Sequence, residues 1–204
     1  MTKRLLLGTT NPTRLLHTRA LLEPLPLHLL SLADVGVTLR VSEDGTTPTD
    51  NARIKAKAYF AAAGIPTLAI DAGLTMAALP ADQQPGVYVR RIHRAAEEAS
   101  DDTLLAHYQQ ALRAVGGQSE GQWIVGIALA LASQHVICET FVIATHFTAV
   151  PSPIRLPGEP LSSLQIDRKT GKYYTELSPA ERLAMQTVRA QKIFTFVQQH
   201  LHEI

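Results

Sequence analysis

Short apolar runs alternate with helical stretches along the first half of the chain. Residues 4–7 and 27–32 have the pattern of short buried strands. Asn11 followed by a proline predicts the start of a helix over residues 12–22, and alanine-rich residues 50–63 predict a second helix that a glycine ends. Alternating strands and capped helices are typical of an α/β fold.

The second half of the chain predicts longer elements. Residues 100–115 have a helical pattern, whereas residues 123–131 and 136–150 predict the two strands of a β-hairpin. A last helix follows Ser178, with a proline at its first position, and runs to about residue 201. We therefore expect a long, twisted, mixed sheet flanked by helices.

Composition limits the class of protein. The chain has 204 residues, 46% of them hydrophobic and 18% charged, so we expect one globular domain over residues 1–204. A net charge of +1 provides no global field for nucleic acid or an anionic membrane, and no apolar run approaches the roughly 20 residues of a membrane-spanning helix. The single cysteine, Cys138, lies in an apolar stretch and is expected to be a buried strand residue. With no processing signal at the N-terminus, these features predict a cytoplasmic protein.

Polar residues surround the predicted start of the first helix. Thr9, Thr10 and Asn11 precede it and Arg14 lies one turn inside, so hydroxyls, unpaired backbone N–H groups and a guanidinium are available to a phosphate. The alternative is that Asn11 only caps the helix and that Arg14 is a solvated side chain.

A second group of polar residues lies at and before the second helix. Asn51 and Lys55 are four positions apart and share one helix face, which can point toward the loop that contains Glu43. Lys55 is then placed to neutralise a phosphate, or it is a solvated lysine on a charged face.

An acidic residue follows the next predicted strand. Asp71 comes after the apolar residues 67–70 and before Ala72 and Gly73, which predicts a carboxylate where a buried strand enters a turn. Such a group suggests a metal ligand or a base, or else a carboxylate that caps the turn.

Four motifs together resemble the inosine triphosphate pyrophosphatase family, which hydrolyses non-standard purine nucleoside triphosphates. Residues 5–14 (LLLGTTNPTR) resemble its (T/S)-x-N-x-x-K loop, and residues 43–56 (EDGTTPTDNARIKA) resemble E-x-G-x-T-F-x-E-N-A-x-x-K-A. Residues 65–74 (IPTLAIDAGL) resemble P-x-x-A-D-D-S-G-L, and residues 85–91 (PGVYVRR) resemble P-G-x-Y-S-A-R. The motifs occur in the family's order and spacing.

The resemblance implies a two-lobed α/β fold with a central cleft, a homodimer with residues 85–91 near its interface, and cleavage to a nucleoside monophosphate and pyrophosphate. It implies that Glu43 and Asp71 hold Mg²⁺ and that Asp71 also helps to activate water. Lys55 is expected to take part in catalysis. The residues that the resemblance assigns to the substrate are Thr9, Thr10, Asn11, Arg14, Asn51, Lys55 and Arg182. Arg182 ends residues 171–182 (GKYYTELSPAER), which resemble the family's G-K-T-x-A-E-L-x-x-E-E-K, with arginine in place of the lysine.

Several positions depart from the family pattern. Ile70 replaces one of two paired aspartates, Ala72 replaces a serine, and Arg14 replaces a lysine. The base-reading motifs are also missing, and neutral side chains stand near their places, namely Ser162, Ser163, Gln186 and Thr187. We therefore expect altered base specificity, because neutral groups that both donate and accept distinguish bases weakly. The alternative function is a catalytically impaired nucleotide-binding or regulatory protein.

Overall fold

The N-terminal part of the computed structural model follows the predicted strand and helix order. The structure describes residues 2–92 and 97–204, without the side chains of residues 179 and 183–186. Strand β1 (Lys3–Leu7) leads into helix α1 (Pro12–Leu22), whose first turn is capped by Asn11. Strand β2 (Leu27–Ser31) then pairs in parallel with β1.

Helix α2 (Pro48–Ala63) begins two residues before the predicted start at residue 50. The Thr47 hydroxyl accepts a hydrogen bond from the Asp50 N–H at 3.1 Å, and Pro48 occupies the first helical position. A proline needs no N–H partner there and has the required φ, so the cap and proline place the helix start earlier than the alanine pattern does. Gly64, with φ of 64°, ends the helix as predicted.

Strand β3 (Thr67–Met76) corrects one prediction about Asp71. The sequence predicts that the strand ends before Asp71, but the strand continues for five residues beyond it. Gly73 has no positive φ, and the buried side chains of Leu74 and Met76 extend the apolar pattern past the glycine. Asp71 therefore lies inside a strand and does not cap a turn.

The remaining elements complete one mixed sheet. Helix α3 (Asp101–Ala114) corresponds to the predicted helix over residues 100–115, with Ser100 as its N-cap. Helix α4 (Pro179–Gln199) begins directly after Ser178, as predicted. Strand β4 (Gln118–Ala132) starts five residues before the predicted hairpin strand, because polar residues 118–122 continue its alternation. Strands β5 (His135–Thr148) and β6 (Gln165–Ile166) pair antiparallel, and the strand order is β2-β1-β3-β4-β5-β6. The predicted α/β class with a mixed sheet and flanking helices is confirmed.

The chain forms two compact units, each with its own core. The first consists of Met1–Ala72, Val125–Phe141 and Val188–Ile204, and the second of Gly73–Ile124 and Val142–Thr187. The first unit has one core around Leu6, Leu32, Tyr59 and Ile65, and another formed by alanines of α2, β3 and β4. The core of the second unit includes Leu74, Met76, Leu104, Leu112 and Phe147.

The prediction that Cys138 is buried is wrong. Cys138 lies on β5, but its side chain is exposed, because the first half of this strand has few buried positions. Across the part of the chain that the structure describes, no helix combines the length and apolar character needed to cross a membrane.

Candidate active site

Lys55 is the centre of a buried ionic cluster in the first unit. Its ammonium Nζ donates to Asp71 Oδ1 at 2.8 Å and to Glu43 Oε2 at 3.1 Å. Both Lys55 and Asp71 are only 7% exposed. The structure thus brings together three predicted site residues, and the alternative of a solvated lysine is wrong.

Small side chains allow the helix that carries Lys55 to lie close to the sheet. Ala52 and Ala56 flank Lys55 on the buried face of α2 and pack against Ala69 of β3 and alanines of β4. At the start of the helix, a Cβ on Gly126 would lie 2.4 Å from the backbone nitrogen of Thr49. Only glycine fits such a contact, so the β4 backbone fixes the distance of α2 from the sheet.

Asn51 connects the Glu43 loop to Asp71. Its amide Nδ2 donates to Asp71 Oδ2 at 3.3 Å, and its Oδ1 accepts the Gly45 N–H at 2.8 Å. Asn51 is 1% exposed, and a Cβ on Gly45 would lie 2.7 Å from Asn51 Oδ1. Both ends of the buried amide have partners in the protein, so Asn51 orients the carboxylate and the loop.

Within the cluster, the pKa of Glu43 is shifted from its ordinary value. Burial raises the pKa of its carboxyl above the ordinary value; Lys55 lowers this pKa, and the neighbouring Asp71 carboxylate raises it. Burial also raises the pKa of Tyr59, and the Glu43 charge adds to that effect. The phenol of Tyr59 therefore stays protonated near the cluster, a neighbour that no sequence motif indicates.

The predicted phosphate loop, unlike the Lys55 cluster, is largely exposed. Asn11 Oδ1 accepts the Arg14 N–H at 3.0 Å, and Thr9 Oγ1 accepts the Asn11 N–H at 3.2 Å, so the capping role of Asn11 is confirmed. Thr10 and Arg14 are exposed. A small pocket beside this loop is lined by Leu7, Gly8, Thr9, Arg14, Thr18, Leu68 and Ile70.

Ile70 and Asp71 belong to different surroundings although they are adjacent. Ile70 lines the pocket of Thr9 and Arg14, whereas Asp71 bonds to Lys55 and Asn51. Successive side chains of a strand point to opposite faces of its sheet. The replacement of an aspartate by Ile70 therefore changes the Arg14 pocket and leaves the Lys55 cluster intact.

The chemistry of the carboxylates fits a divalent cation. Glu43 and Asp71 supply hard oxygen ligands that already converge on one cation, the Lys55 ammonium. Within residues 2–92 and 97–204, no group of three or more His, Cys, Asp or Glu side chains is arranged to hold a metal ion. A two-carboxylate set suits Mg²⁺, which usually keeps several waters and also binds substrate phosphates.

A family comparison places these residues in a known protein class. The family model described as the Ham1 family matches residues 5–144. The chain belongs to the Ham1 family. The matched range includes every predicted site residue except Arg182.

Curated relatives of this Ham1 protein share part of its length. A dITP/XTP pyrophosphatase of Geobacter sulfurreducens is 40% identical over 108 residues, which are 52% of this chain and 53% of that protein. A dITP/XTP pyrophosphatase of Thermus thermophilus is 31% identical over 132 residues, 65% of this chain and 61% of that protein. The chain spans about half the length of the curated relatives it matches.

Solved Ham1 structures share the fold. A HAM1 protein from Coxiella burnetii superposes with a TM-score of 0.81 at 23% identity, covering 97% of this chain and 99% of that one. The Ham1 protein of Staphylococcus aureus has a TM-score of 0.79 at 18% identity, with the same coverage. The Ham1 architecture thus extends beyond the matched residues 5–144.

The second unit holds the last predicted site residue. The Arg182 guanidinium donates to the carbonyls of Leu177 and Thr175, at 3.0 and 2.8 Å, and lies 5.9 Å from the Tyr174 ring centroid. The role of Arg182 in substrate binding stays a prediction.

The residues expected near the base of the substrate differ in their exposure and hydrogen bonding. The hydroxyls of Ser162 and Ser163 donate to backbone carbonyls three residues earlier, so their protons have local partners. Thr187 is exposed, and the side chain of Gln186 lies outside those that the structure describes.

Proposed function

We propose that this Ham1 protein is a metal-dependent pyrophosphatase that hydrolyses a non-standard purine nucleoside triphosphate to the monophosphate and pyrophosphate. The observation that carries the proposal is the buried cluster in which Lys55 bridges Glu43 and Asp71. The relatives of Geobacter sulfurreducens and Thermus thermophilus, each named dITP/XTP pyrophosphatase, support this reaction.

The proposed cofactor is Mg²⁺, and Glu43 and Asp71 are the residues that would hold it. When bound, the ion neutralises negative charge on the phosphates. Hydrolysis of a phosphoanhydride depends chiefly on positioning and on charge stabilisation, to which the charged side chains of Glu43, Lys55 and Asp71 contribute.

In the proposed reaction, one group of side chains acts on the attacking water and another binds the phosphates. Asp71 accepts a proton from the attacking water as the water oxygen bonds to the α phosphorus, and the bond to the bridging oxygen breaks to release pyrophosphate. Asn51 holds Asp71 in its orientation. Lys55 and Arg14 supply positive charge to the phosphates. The hydroxyls of Thr9 and Thr10 provide further donors.

The base preference is proposed to be weaker than in a dedicated 6-oxopurine site. Ser162 and Ser163 use their hydroxyl protons within the protein and are 4% and 0% exposed, so neither offers a hydrogen-bond donor to a base. We expect the ratio of kcat/KM for inosine over adenosine triphosphate to lie well below the roughly 10⁴ to 10⁵ that a hydrogen-bonding site can reach.

A nucleotide-binding or regulatory protein without efficient catalysis is the alternative. Its support in the sequence is the loss of a carboxylate at Ile70 and of a serine at Ala72. Because Ile70 lies on the face opposite Asp71, its presence removes nothing from the Lys55 cluster. The structure therefore favours the enzyme.

The assembly and location form the last part of the proposal. The motif over residues 85–91 supports a homodimer, and the low net charge and single cysteine support a cytoplasmic protein. Light scattering after size-exclusion chromatography tests the homodimer, and a monomer at low micromolar concentration would contradict it.

Fractionation of cells tests the cytoplasmic location, and recovery of the protein with the membrane fraction would contradict it.

A panel of nucleoside triphosphates, assayed with Mg²⁺ and pyrophosphate detection, tests the reaction. We expect pyrophosphate release that falls about 10²- to 10⁴-fold in kcat for Asp71→Asn, the range for loss of a general base. Glu43→Gln should raise the Mg²⁺ concentration needed for activity. Asp44→Asn is the matched control, because Asp44 is adjacent to Glu43 but exposed.

Two results would contradict the proposed function. Unchanged activity of Asp71→Asn would exclude the site. Tight, metal-dependent binding of a triphosphate in calorimetry, without turnover of any member of the panel, would establish the binding protein instead.

A further inference from the structure

The Lys55 cluster contains its own cation. The Lys55 ammonium lies within hydrogen-bond distance of the Glu43 and Asp71 carboxylates, and Lys55 is buried beside Asp71. A buried ammonium without partners has a large desolvation cost, and two adjacent carboxylates without a cation repel each other. The three groups therefore stabilise one another in the protein without ligands.

The Lys55 ammonium uses the same carboxylates that would ligate a divalent ion. Nζ contacts Oδ1 of Asp71 and Oε2 of Glu43, one oxygen from each ligand. Two cations that share these oxygens repel each other, so Lys55 and a divalent ion compete for them. The long, flexible lysine side chain allows the ammonium to leave without a backbone change.

Asp71 has a second hydrogen bond that does not involve Lys55. Its second oxygen, Oδ2, accepts the Asn51 amide, and Asn51 is anchored in turn by the Gly45 N–H. Asp71 therefore bonds to Lys55 through Oδ1 and to Asn51 through Oδ2, so loss of the Lys55 contact would leave the Asn51 contact in place.

We infer that Lys55 is an internal counter-ion: it holds Glu43 and Asp71 together in the metal-free protein and is displaced to the substrate phosphates when a divalent ion takes its place. The inference rests on the proposed function and specifies the order of charge exchange in the same site. Because a released ammonium is stabilised by a polyanion, the divalent ion and the triphosphate each increase the affinity of the protein for the other.

Metal binding without nucleotide tests this inference separately from catalysis. Mn²⁺, detected by electron paramagnetic resonance, is titrated into the intact protein and into Lys55→Met. We expect Lys55→Met to bind Mn²⁺ at least about tenfold more tightly in the absence of nucleotide, because the competing cation is gone. It should also lose most of the coupling between Mn²⁺ and a non-hydrolysable triphosphate. Lys57→Met is the matched control, since Lys57 lies on the same helix but is exposed.

A second measurement uses only the unmodified chain, in case Lys55→Met does not fold. Lysine side chains are labelled by reductive methylation and quantified by peptide mass spectrometry, with and without Mn²⁺. We expect Mn²⁺ alone to increase labelling of Lys55 several-fold, with labelling of Lys57 unchanged. Equal or weaker Mn²⁺ binding by folded Lys55→Met, or unchanged Lys55 labelling at saturating Mn²⁺, would overturn the counter-ion role. Neither result would decide the proposed function, because pyrophosphate release from the nucleotide panel tests that function separately.

Discussion

Ile70 and Asp71 are consecutive residues of β3, yet one lines the pocket of Arg14 and the other bonds to Lys55. Loss of a family carboxylate at position 70 therefore concerns the surroundings of Arg14, the arginine proposed to bind phosphate, and leaves the ionic cluster unchanged. The family motif has two adjacent aspartates, and this arrangement assigns them different surroundings: position 70 affects the charge near Arg14, and position 71 affects the charge near Lys55.

Replacing Ile70 by aspartate tests this separation. The new carboxylate lies next to Arg14 and competes with phosphate for the guanidinium, so we expect Ile70→Asp to raise KM for the triphosphate with little change in kcat. Mn²⁺ affinity of the nucleotide-free protein should be unchanged. A clear gain in Mn²⁺ affinity would show that position 70 acts on the Lys55 cluster after all.

Gly126→Ala is expected to destabilise the first unit. The added methyl would meet the backbone of the first α2 turn at 2.4 Å, and this backbone cannot rotate away as a side chain can. Overpacking of this kind costs about 1 to 3 kcal/mol and should move Lys55 relative to Asp71. Chemical denaturation and steady-state kinetics measure the two effects.

Gly64→Ala is the control for Gly126→Ala. Gly64 has a positive φ, but an added Cβ would meet nothing within 4 Å, so only backbone strain of about 1 to 2 kcal/mol is added. We expect Gly64→Ala to lose stability and keep kcat. Equal loss of kcat in both variants would argue against a specific role for the Gly126 contact.

Asn51→Asp distinguishes a positioning residue from a substrate ligand. The new carboxylate keeps an acceptor for the Gly45 N–H but cannot donate to Asp71, and it places a negative charge next to that carboxylate. We expect kcat to fall about 10- to 100-fold with KM for the triphosphate nearly unchanged. Activity relative to the unmodified enzyme should recover at lower pH, where the new carboxyl is protonated and donates again. A rise confined to KM would assign Asn51 to substrate binding.

Glu181 gives the second unit a pH-dependent stability. Hydrogen bonds from Lys172 and from Ser178 lower the pKa of its carboxyl to about 2. Since the folded-state pKa lies below the ordinary value of 4.5, the contribution is complete above pH 4.5 and is lost as the pH falls toward 2.

Glu181→Gln should therefore flatten the loss of stability on acidification. Urea denaturation at a series of pH values between 4.5 and 2 is the measurement. Glu159→Gln, at an exposed side chain of the same unit, is the control and should follow the unmodified protein. Parallel curves for the unmodified chain and Glu181→Gln would contradict the prediction.

Local signals in the sequence predict much of the fold. The Asn11 cap is confirmed because a cap depends on a few neighbouring residues. The extent of β3 is not predictable in this way, since its last residues depend on tertiary contacts, such as the two hydrogen bonds between the backbones of Leu74 and Gly86. Burial of Lys55 likewise depends on alanines far away in the sequence. The motif predicts the identity of the site residues, whereas their pairing follows from the tertiary packing.

The exposed thiol on β5 has a practical consequence. Cys138 is the only cysteine of the chain, so a maleimide dye attaches at one known position without removal of any other residue. Partial burial raises the pKa of this thiol, and the reaction therefore accelerates as the pH increases. The dye would lie in the same unit as Lys55, Glu43 and Asp71. Fluorescence of the dye would then report whether a divalent ion changes the surroundings of Cys138, without a radioactive or chromogenic substrate.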